Sequence, residues 1–276
     1  MQSCVGHGRL MRFRLALGLI ILGLGGIMVG CNHLFYYPTK VIYSSPHELA
    51  LTYRDDWLTQ PNGEKLHLWH LDPSNRAPRR KAVIVHFHGN AENMTSHFHF
   101  VGWLARAGFS VVTFDYRGYG QSDGRPTRSG TIEDGEAVLA QVLKDPRYQD
   151  HSIFVMGQSL GGAVAIPSIA GTMRRDPVLA QRLKGVVIEA AFDSYREIAR
   201  LKLANFWLSW PLQYPLVWLL LSDDHNAIDS VAAITAPMLF VYETHDPVIP
   251  FQCGENLYAA ATGCKDKEFW SVRSHE

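Results

Sequence analysis

From Ala82 onward, short apolar, β-branched runs alternate with longer stretches of helical spacing. The runs are Ala82 to Phe87, Ser110 to Phe114, Ser152 to Met156, Gly185 to Ile188, Pro237 to Tyr242 and Glu268 to Val272. Runs this continuous suit strands buried on both faces of a parallel sheet. Helical patterns fill the gaps at Ser96 to Ala107, Thr131 to Leu143, Ser159 to Gly171 and Gly254 to Ala261. Pro167, inside the third of these, predicts a kink or an early end, because proline removes a helix donor and crowds the preceding turn. Upstream, two alternating stretches between Leu51 and Leu71 flank the turn Pro61-Asn62-Gly63, a hairpin pattern. Asp72 to Lys81 is polar and rich in Pro and Arg, and reads as an exposed loop. Strands alternating with helices predict an α/β fold, a doubly wound and mostly parallel sheet with right-handed crossovers.

One segment breaks the alternation. Leu201 to Leu221 holds three Trp and the prolines Pro211 and Pro215, between the fourth and fifth runs. The prolines interrupt a membrane-spanning helix, and Lys202, Asn205 and Gln213 dilute it. A small helical cap over about 195–232, inserted before the strand that carries Asp246, fits better, since insertions at the C-terminal edge of a sheet form lids. Its apolar surface suits an acyl chain or a membrane face.

Composition sets the remaining limits. With 276 residues, 47% of them hydrophobic, and 26 basic against 26 acidic groups, the chain is long and apolar enough for a single core. No basic excess points to nucleic acid, and four cysteines are too few for a disulfide framework. The charge is nevertheless uneven. Arg9, Arg12 and Arg14 precede Leu15 to Gly30, a run without charge that ends Met28-Val29-Gly30-Cys31. This run of about sixteen residues is shorter than the roughly 20 of a spanning helix. It resembles the signal of bacterial lipoproteins, which implies cleavage before Cys31, lipid attachment there and a cell-envelope location, in the outer membrane if the source is Gram-negative. An uncleaved signal anchor and an ordinary signal peptide are the alternative readings. Residues 1–30 are thus expected as a signal peptide, 31–50 as a tether and 51–276 as the folded domain.

The chemistry concentrates in four places. Gly157-Gln158-Ser159-Leu160-Gly161 follows a strand and opens a helix rich in small residues, the context of a nucleophile elbow. A serine needs a histidine base and an orienting acid. Of the histidines after Ser159, His225 sits in the polar tail of the cap, and His245 adjoins Asp246 too closely to pair with it. His275 is the candidate base. Asp246, just past the fifth run, is the candidate acid, with Asp193 as rival and a turn aspartate before Pro247 as the plain reading. At His86-Phe87-His88-Gly89-Asn90-Ala91-Glu92-Asn93 the candidates are a metal site of His86, His88, His97 and His99 or an oxyanion loop. The oxyanion reading is favoured: the Asn90 N–H joins that of Leu160, with Glu92 and Asn93 equally readable as helix caps. No metal and no cofactor are expected.

Together with Phe114-Asp115-Tyr116-Arg117-Gly118-Tyr119-Gly120-Gln121-Ser122 and Asp246-Pro247-Val248-Ile249-Pro250, these motifs resemble the α/β-hydrolase superfamily, in particular its bud-emergence-protein-like branch of serine hydrolases. The resemblance implies a triad of Ser159, Asp246 and His275 and a structural role for Asp115 and Arg117. It implies an ester or thioester as substrate, with a lipid-like acyl group suited to the cap; peptidases share the fold. Such proteins continue past the histidine with a closing helix, so a chain ending at Glu276 is expected to lack it. The rival reading is a non-catalytic surface lipoprotein that retains the fold.

Overall fold

The computed structural model of the protein describes residues 35–75, 78, 80–204, 214, 217, 218, 221 and 224–273. Eight strands form one sheet: β1 (Tyr53–Thr59), β2 (Lys65–Leu71), β3 (Ala82–Phe87), β4 (Ser110–Phe114), β5 (Ser152–Gln158), β6 (Leu183–Glu189), β7 (Met238–Glu243) and β8 (Lys267–Val272). Their spatial order is β1-β2-β4-β3-β5-β6-β7-β8. The predicted hairpin is present, with Tyr53 opposite Leu71 and Thr59 opposite Lys65, and β2 also runs antiparallel to β4. From β3 to β8 each neighbouring pair is parallel. Gly63 turns the hairpin at φ 86°, a conformation that glycine adopts without steric cost.

Helices cover both faces: α1 (Met94–His97), α2 (Gly102–Arg106), α3 (Arg128–Lys144), α4 (Leu160–Arg175), α5 (Pro177–Arg182), α6 (Tyr195–Ala204) and α7 (Phe251–Ala260). All six residues of β3 are buried, and their alternation divides the core. Val83, Val85 and Phe87 meet α3 and α4 through Val138 and Val164, whereas Ile84 meets Met94, Phe98 and Val101 on the other face. Helix α6 lies in the β6–β7 connection, where the cap was expected.

One helical expectation is corrected, and of the two outcomes expected at Pro167 the early end does not occur. Ser96 to Ala107 is not one helix: α1 tightens into a 3-10 turn at Phe98–Phe100, and α2 restarts at Gly102. The N-terminal chain presses on this point, since a Cβ on Gly102 would stand 3.2 Å from Leu49 and 3.3 Å from Leu51. Pro167 does not end α4, which continues to Arg175. Every residue from Leu160 to Thr172 is buried, so packing offsets the lost hydrogen bond, and Ser168 Oγ bonds the Val164 carbonyl at 2.8 Å.

The order of the strands positions the site. The chain leaves β3 toward β4 on one side and returns as β5 on the other, so the ends of β3 and β5 form a topological switch point, where ligands of open sheets bind. Phe87 is paired with Gly157 there.

Far from that edge, His70 on β2 is buried beside Tyr148, whose hydroxyl lies 3.0 Å from Nδ1. Burial, then Arg147 and Arg54, push the His70 ring from its usual 6.5 down to about 4. The unfolded chain therefore takes up this proton below pH 6.5 while the native state resists it until about pH 4. Stability present above 6.5 is lost as pH falls through that window. Between pH 7 and pH 5 the wild type should lose about 2 kcal/mol more than His70→Gln, at about 1.4 kcal/mol per pH unit. Urea midpoints of the two proteins at both pH values check this; equal losses would refute it.

Candidate active site

Ser159 occupies the sharp turn between β5 and α4, with φ 53° and ψ −120°. Such a backbone costs a non-glycine residue of order 1–3 kcal/mol and persists only where the surroundings enforce it. They do so through close packing. The Ser159 N–H donates to the Glu189 carbonyl at 2.8 Å, tying the turn to the end of β6. A Cβ on Gly157 would lie 2.7 Å from Gly162 Cα, and one on Gly161 only 2.0 Å from the Phe87 carbonyl oxygen. The motif glycines therefore bring the first turn of α4 against the end of β3. Gly161→Ala is expected to destabilise the fold by about 3 kcal/mol, because a backbone carbonyl has to move. Thermal unfolding measures it, and an unchanged midpoint would contradict the contact.

The loop after β3 meets the same turn. A Cβ on Gly161 would also stand 2.6 Å from the His88 carbonyl oxygen, and one on Gly89 would stand 3.8 Å from the Gln158 carbonyl. Tyr37 N–H and Tyr119 Oη each donate to Asn90 Oδ1 at 2.9 Å, which holds the loop from two sides. Neither the Asn90 N–H nor the Leu160 N–H donates to an acceptor among the described residues. Both candidate oxyanion donors thus sit at one strand edge, and the helix end adds its positive dipole.

Asp115, at the end of β4, supports this loop from below. It is fully buried, accepts the Met94 N–H at 2.7 Å and lies 3.4 Å from His88 Nε2. Gly120, at φ 45°, makes room for it, since a Cβ there would fall 1.9 Å from Asp115 Oδ2. Arg117 is engaged through its guanidinium and its N–H with buried Asp134. Both residues hold loops in place, as expected.

Asp246 follows β7, and its Oδ1 accepts the N–H groups of Val248 at 2.7 Å and Ile249 at 2.9 Å. That is the turn geometry of the plain reading, and it leaves Oδ2 without a hydrogen bond among the described residues. The rival Asp193 is buried and receives Asn256 Nδ2 at 2.7 Å. Beside it the Cys253 thiol is pushed up to about 12, first by burial and then by the Asp193 charge. Asp193 thus joins the cap base to α7. His225 adopts φ 61° and reaches Asp224, and His245 contacts Thr244 Oγ1. His275 and Cys31 lie outside the described residues.

The four histidines considered as metal ligands each have a separate partner. His86 Nδ1 faces Thr113 Oγ1, His88 Nδ1 the Gly89 carbonyl, His97 Nε2 the Ala91 carbonyl and His99 Nε2 Ser44 Oγ. Burial, followed by the neighbouring His88, pushes the His97 ring down to about 4. Glu189 lies beside Gln158, and burial raises its carboxyl above the usual carboxylate range.

Two features of the site escape the sequence reading. Residues 35–49, expected as a tether, pack on the domain. Phe35 and Tyr36 join the core, Tyr36 Oη lies 3.1 Å from Tyr195 Oη, and Arg128 stacks over both Phe35 and Tyr195. The second is Asn93. It caps α1 through Thr95 N–H, one of the two roles foreseen, and its Nδ2 also holds the carbonyls of Thr39 and Val41. The cluster Phe35-Tyr36-Tyr37-Pro38 was the available signal, because three consecutive aromatics suit a docked segment better than a free linker.

An eight-stranded sheet in this order, with a strained serine between β5 and α4, defines the α/β-hydrolase superfamily, as the sequence motifs implied. More narrowly, the chain belongs to the family described as serine aminopeptidase, S33, whose profile matches residues 78–228. It is 31% identical over 242 residues to uncharacterized protein YfhR of Salmonella typhi, covering 85% of this chain and 77% of that one. Identity to the lysophosphatidylserine lipase ABHD12 of Macaca fascicularis is 25% over 260 residues, 86% of this chain and 63% of the relative. Among solved structures, the esterase Pf2001 of Pyrococcus furiosus superposes with a TM-score of 0.66 at 20% identity, over 87% of this chain and 88% of that one.

Proposed function

We propose that the protein is a membrane-tethered serine hydrolase that cleaves a carboxylic ester or thioester through an acyl-enzyme. The observation that carries this reading is the backbone of Ser159, held at φ 53° at the switch point of the sheet, where the Asn90 and Leu160 N–H groups have no acceptor among the described residues. In the proposed mechanism His275 takes the Ser159 Oγ proton as Oγ bonds to the substrate carbonyl carbon. The Asn90 and Leu160 N–H groups receive the oxyanion. Collapse breaks the ester or thioester bond, and the same histidine protonates the departing alcohol or thiol. Water then loses a proton to His275 and attacks the acyl-Ser159, and as the acyl–Oγ bond breaks His275 returns that proton to Ser159 Oγ and the acid leaves, while Asp246 stabilises the imidazolium whenever it forms. A lipid-like acyl substrate draws support from the apolar cap segment and from the lipase name of the macaque relative. Lipidation of Cys31 in the cell envelope supplies the tether, and mass spectrometry of the mature N-terminus tests it; an intact Met1 would exclude it.

A fluorophosphonate probe tests the hydrolase reading on the full chain. Labelling of the peptide that contains Ser159 is expected; a folded wild type that takes no label would overturn the reading in favour of a non-catalytic lipoprotein. A panel of p-nitrophenyl esters against aminoacyl p-nitroanilides separates esterase from peptidase, with faster turnover expected on the esters.

A further inference from the structure

We infer that residues 37–43 and the 3-10 turn and helix at Phe98–Arg106 form a membrane-contacting surface, which seats the mouth of the site on a phospholipid bilayer. This rests on the tethered reading above and adds a second contact to it. Among the described residues, six of the thirteen exposed large apolar side chains fall in these two segments: Tyr37, Val41, Ile42, Tyr43, Phe100 and Trp103. Ile42 is 63% exposed, Val41 56%, Trp103 58% and Phe100 51%. Isolated exposed apolar residues need no explanation, but six on two adjoining segments do. The segments are joined directly: Tyr43 N–H donates to Thr95 Oγ1 at 3.0 Å, and Ser44 Oγ lies 2.7 Å from His99 Nε2. They are also held to the oxyanion loop, since Asn93 grips Thr39 and Val41, and the Tyr37 N–H bonds Asn90.

Two further observations select a bilayer as the occupant. Lys40 and Arg106 lie exposed in these segments, with Glu92 paired against Pro38 and Thr39 and exposed Glu48 next to the Leu49 carbonyl that Arg106 binds, so the apolar patch has a rim of both charge signs, which phospholipid headgroups match. The second is the length of chain that leads to the patch. Four residues along the chain carry it from Cys31 to Phe35, where it docks on the core, and four residues span at most about 14 Å. With Cys31 lipidated, this flank is held within reach of the membrane surface.

Tryptophan quenching tests the contact on the full chain reconstituted in phosphatidylcholine and phosphatidylglycerol vesicles with brominated acyl chains. Trp103→Phe should lower the quenchable emission, whereas Trp57→Phe, on the outermost strand β1, should leave it unchanged. In a second arm, Ile42→Asp/Trp103→Asp should hydrolyse a vesicle-borne ester at least about tenfold more slowly, with turnover of soluble p-nitrophenyl acetate unchanged. Equal quenching in wild type and Trp103→Phe would overturn the inference. So would wild-type rates of the double variant on the vesicle-borne ester, or burial of the patch in a dimer on the vesicle. If no ester is hydrolysed at all, the hydrolase reading fails alone, and quenching still decides the contact.

Discussion

Ser159→Ala is expected to lower ester turnover by a factor on the order of 10⁴ to 10⁶ and to abolish fluorophosphonate labelling, while leaving the fold intact. The size of the loss follows from what the serine alone supplies. The proposed oxyanion donors, the Asn90 and Leu160 N–H groups, remain, but no covalent intermediate would form, so only the catalysis of the donors and of binding would be left. The stability prediction follows from the backbone. Alanine carries the same Cβ into φ 53°, so the strain of the turn is unchanged, and Ser159→Ala should unfold within about 1 kcal/mol of wild type. Ser159→Gly removes the Cβ and should unfold at a higher temperature than Ser159→Ala. Calorimetry beside the kinetics separates the two effects. Residual turnover above about a tenth of wild type in Ser159→Ala would exclude Ser159 as nucleophile.

The second large effect distinguishes the two candidate acids. Asp246→Asn should lower turnover by about 10⁴, because the amide leaves the imidazolium without a counter-charge and favours the wrong tautomer of the base. Its side-chain oxygen still accepts the N–H groups of Val248 and Ile249, so the loop keeps its shape and the loss is electrostatic. Asp193→Asn should instead stay within about tenfold of wild-type turnover and be less stable, since Asp193 is buried and bonded to Asn256. Rates and unfolding midpoints of both variants are the measurement. A collapse of turnover in Asp193→Asn with Asp246→Asn near wild type would reverse the assignment.

Much of this arrangement is legible in the sequence because it rests on local rules. The limits of β3 and β4 coincide with the apolar runs, since a strand buried on both faces has to be apolar throughout. The elbow was readable because a strained turn between a strand and a helix demands glycines at fixed spacing. The break between α1 and α2 was not, because its cause is the contact of Leu49 and Leu51 on Gly102, about fifty residues away in sequence. Asp193 and Asp246 both follow a strand, and chain order ranks Asp246 first; their partners, Asn256 of α7 for Asp193 and the N–H groups of the turn after β7 for Asp246, come only with the tertiary structure.

The sequence by itself determined the class of fold, the serine at the elbow and the loops that face it, because strand periodicity, glycine spacing and helix starts are set by near neighbours in the chain. Only the tertiary structure decided that residues 35–49 are docked, that Asn93 clamps them beside the loop after β3, and that Asp115 braces that loop through the Met94 N–H and His88. Those contacts join residues from 21 to 159 positions apart. Their partners are chosen by shape and hydrogen-bond satisfaction in a closed core, which no local pattern encodes.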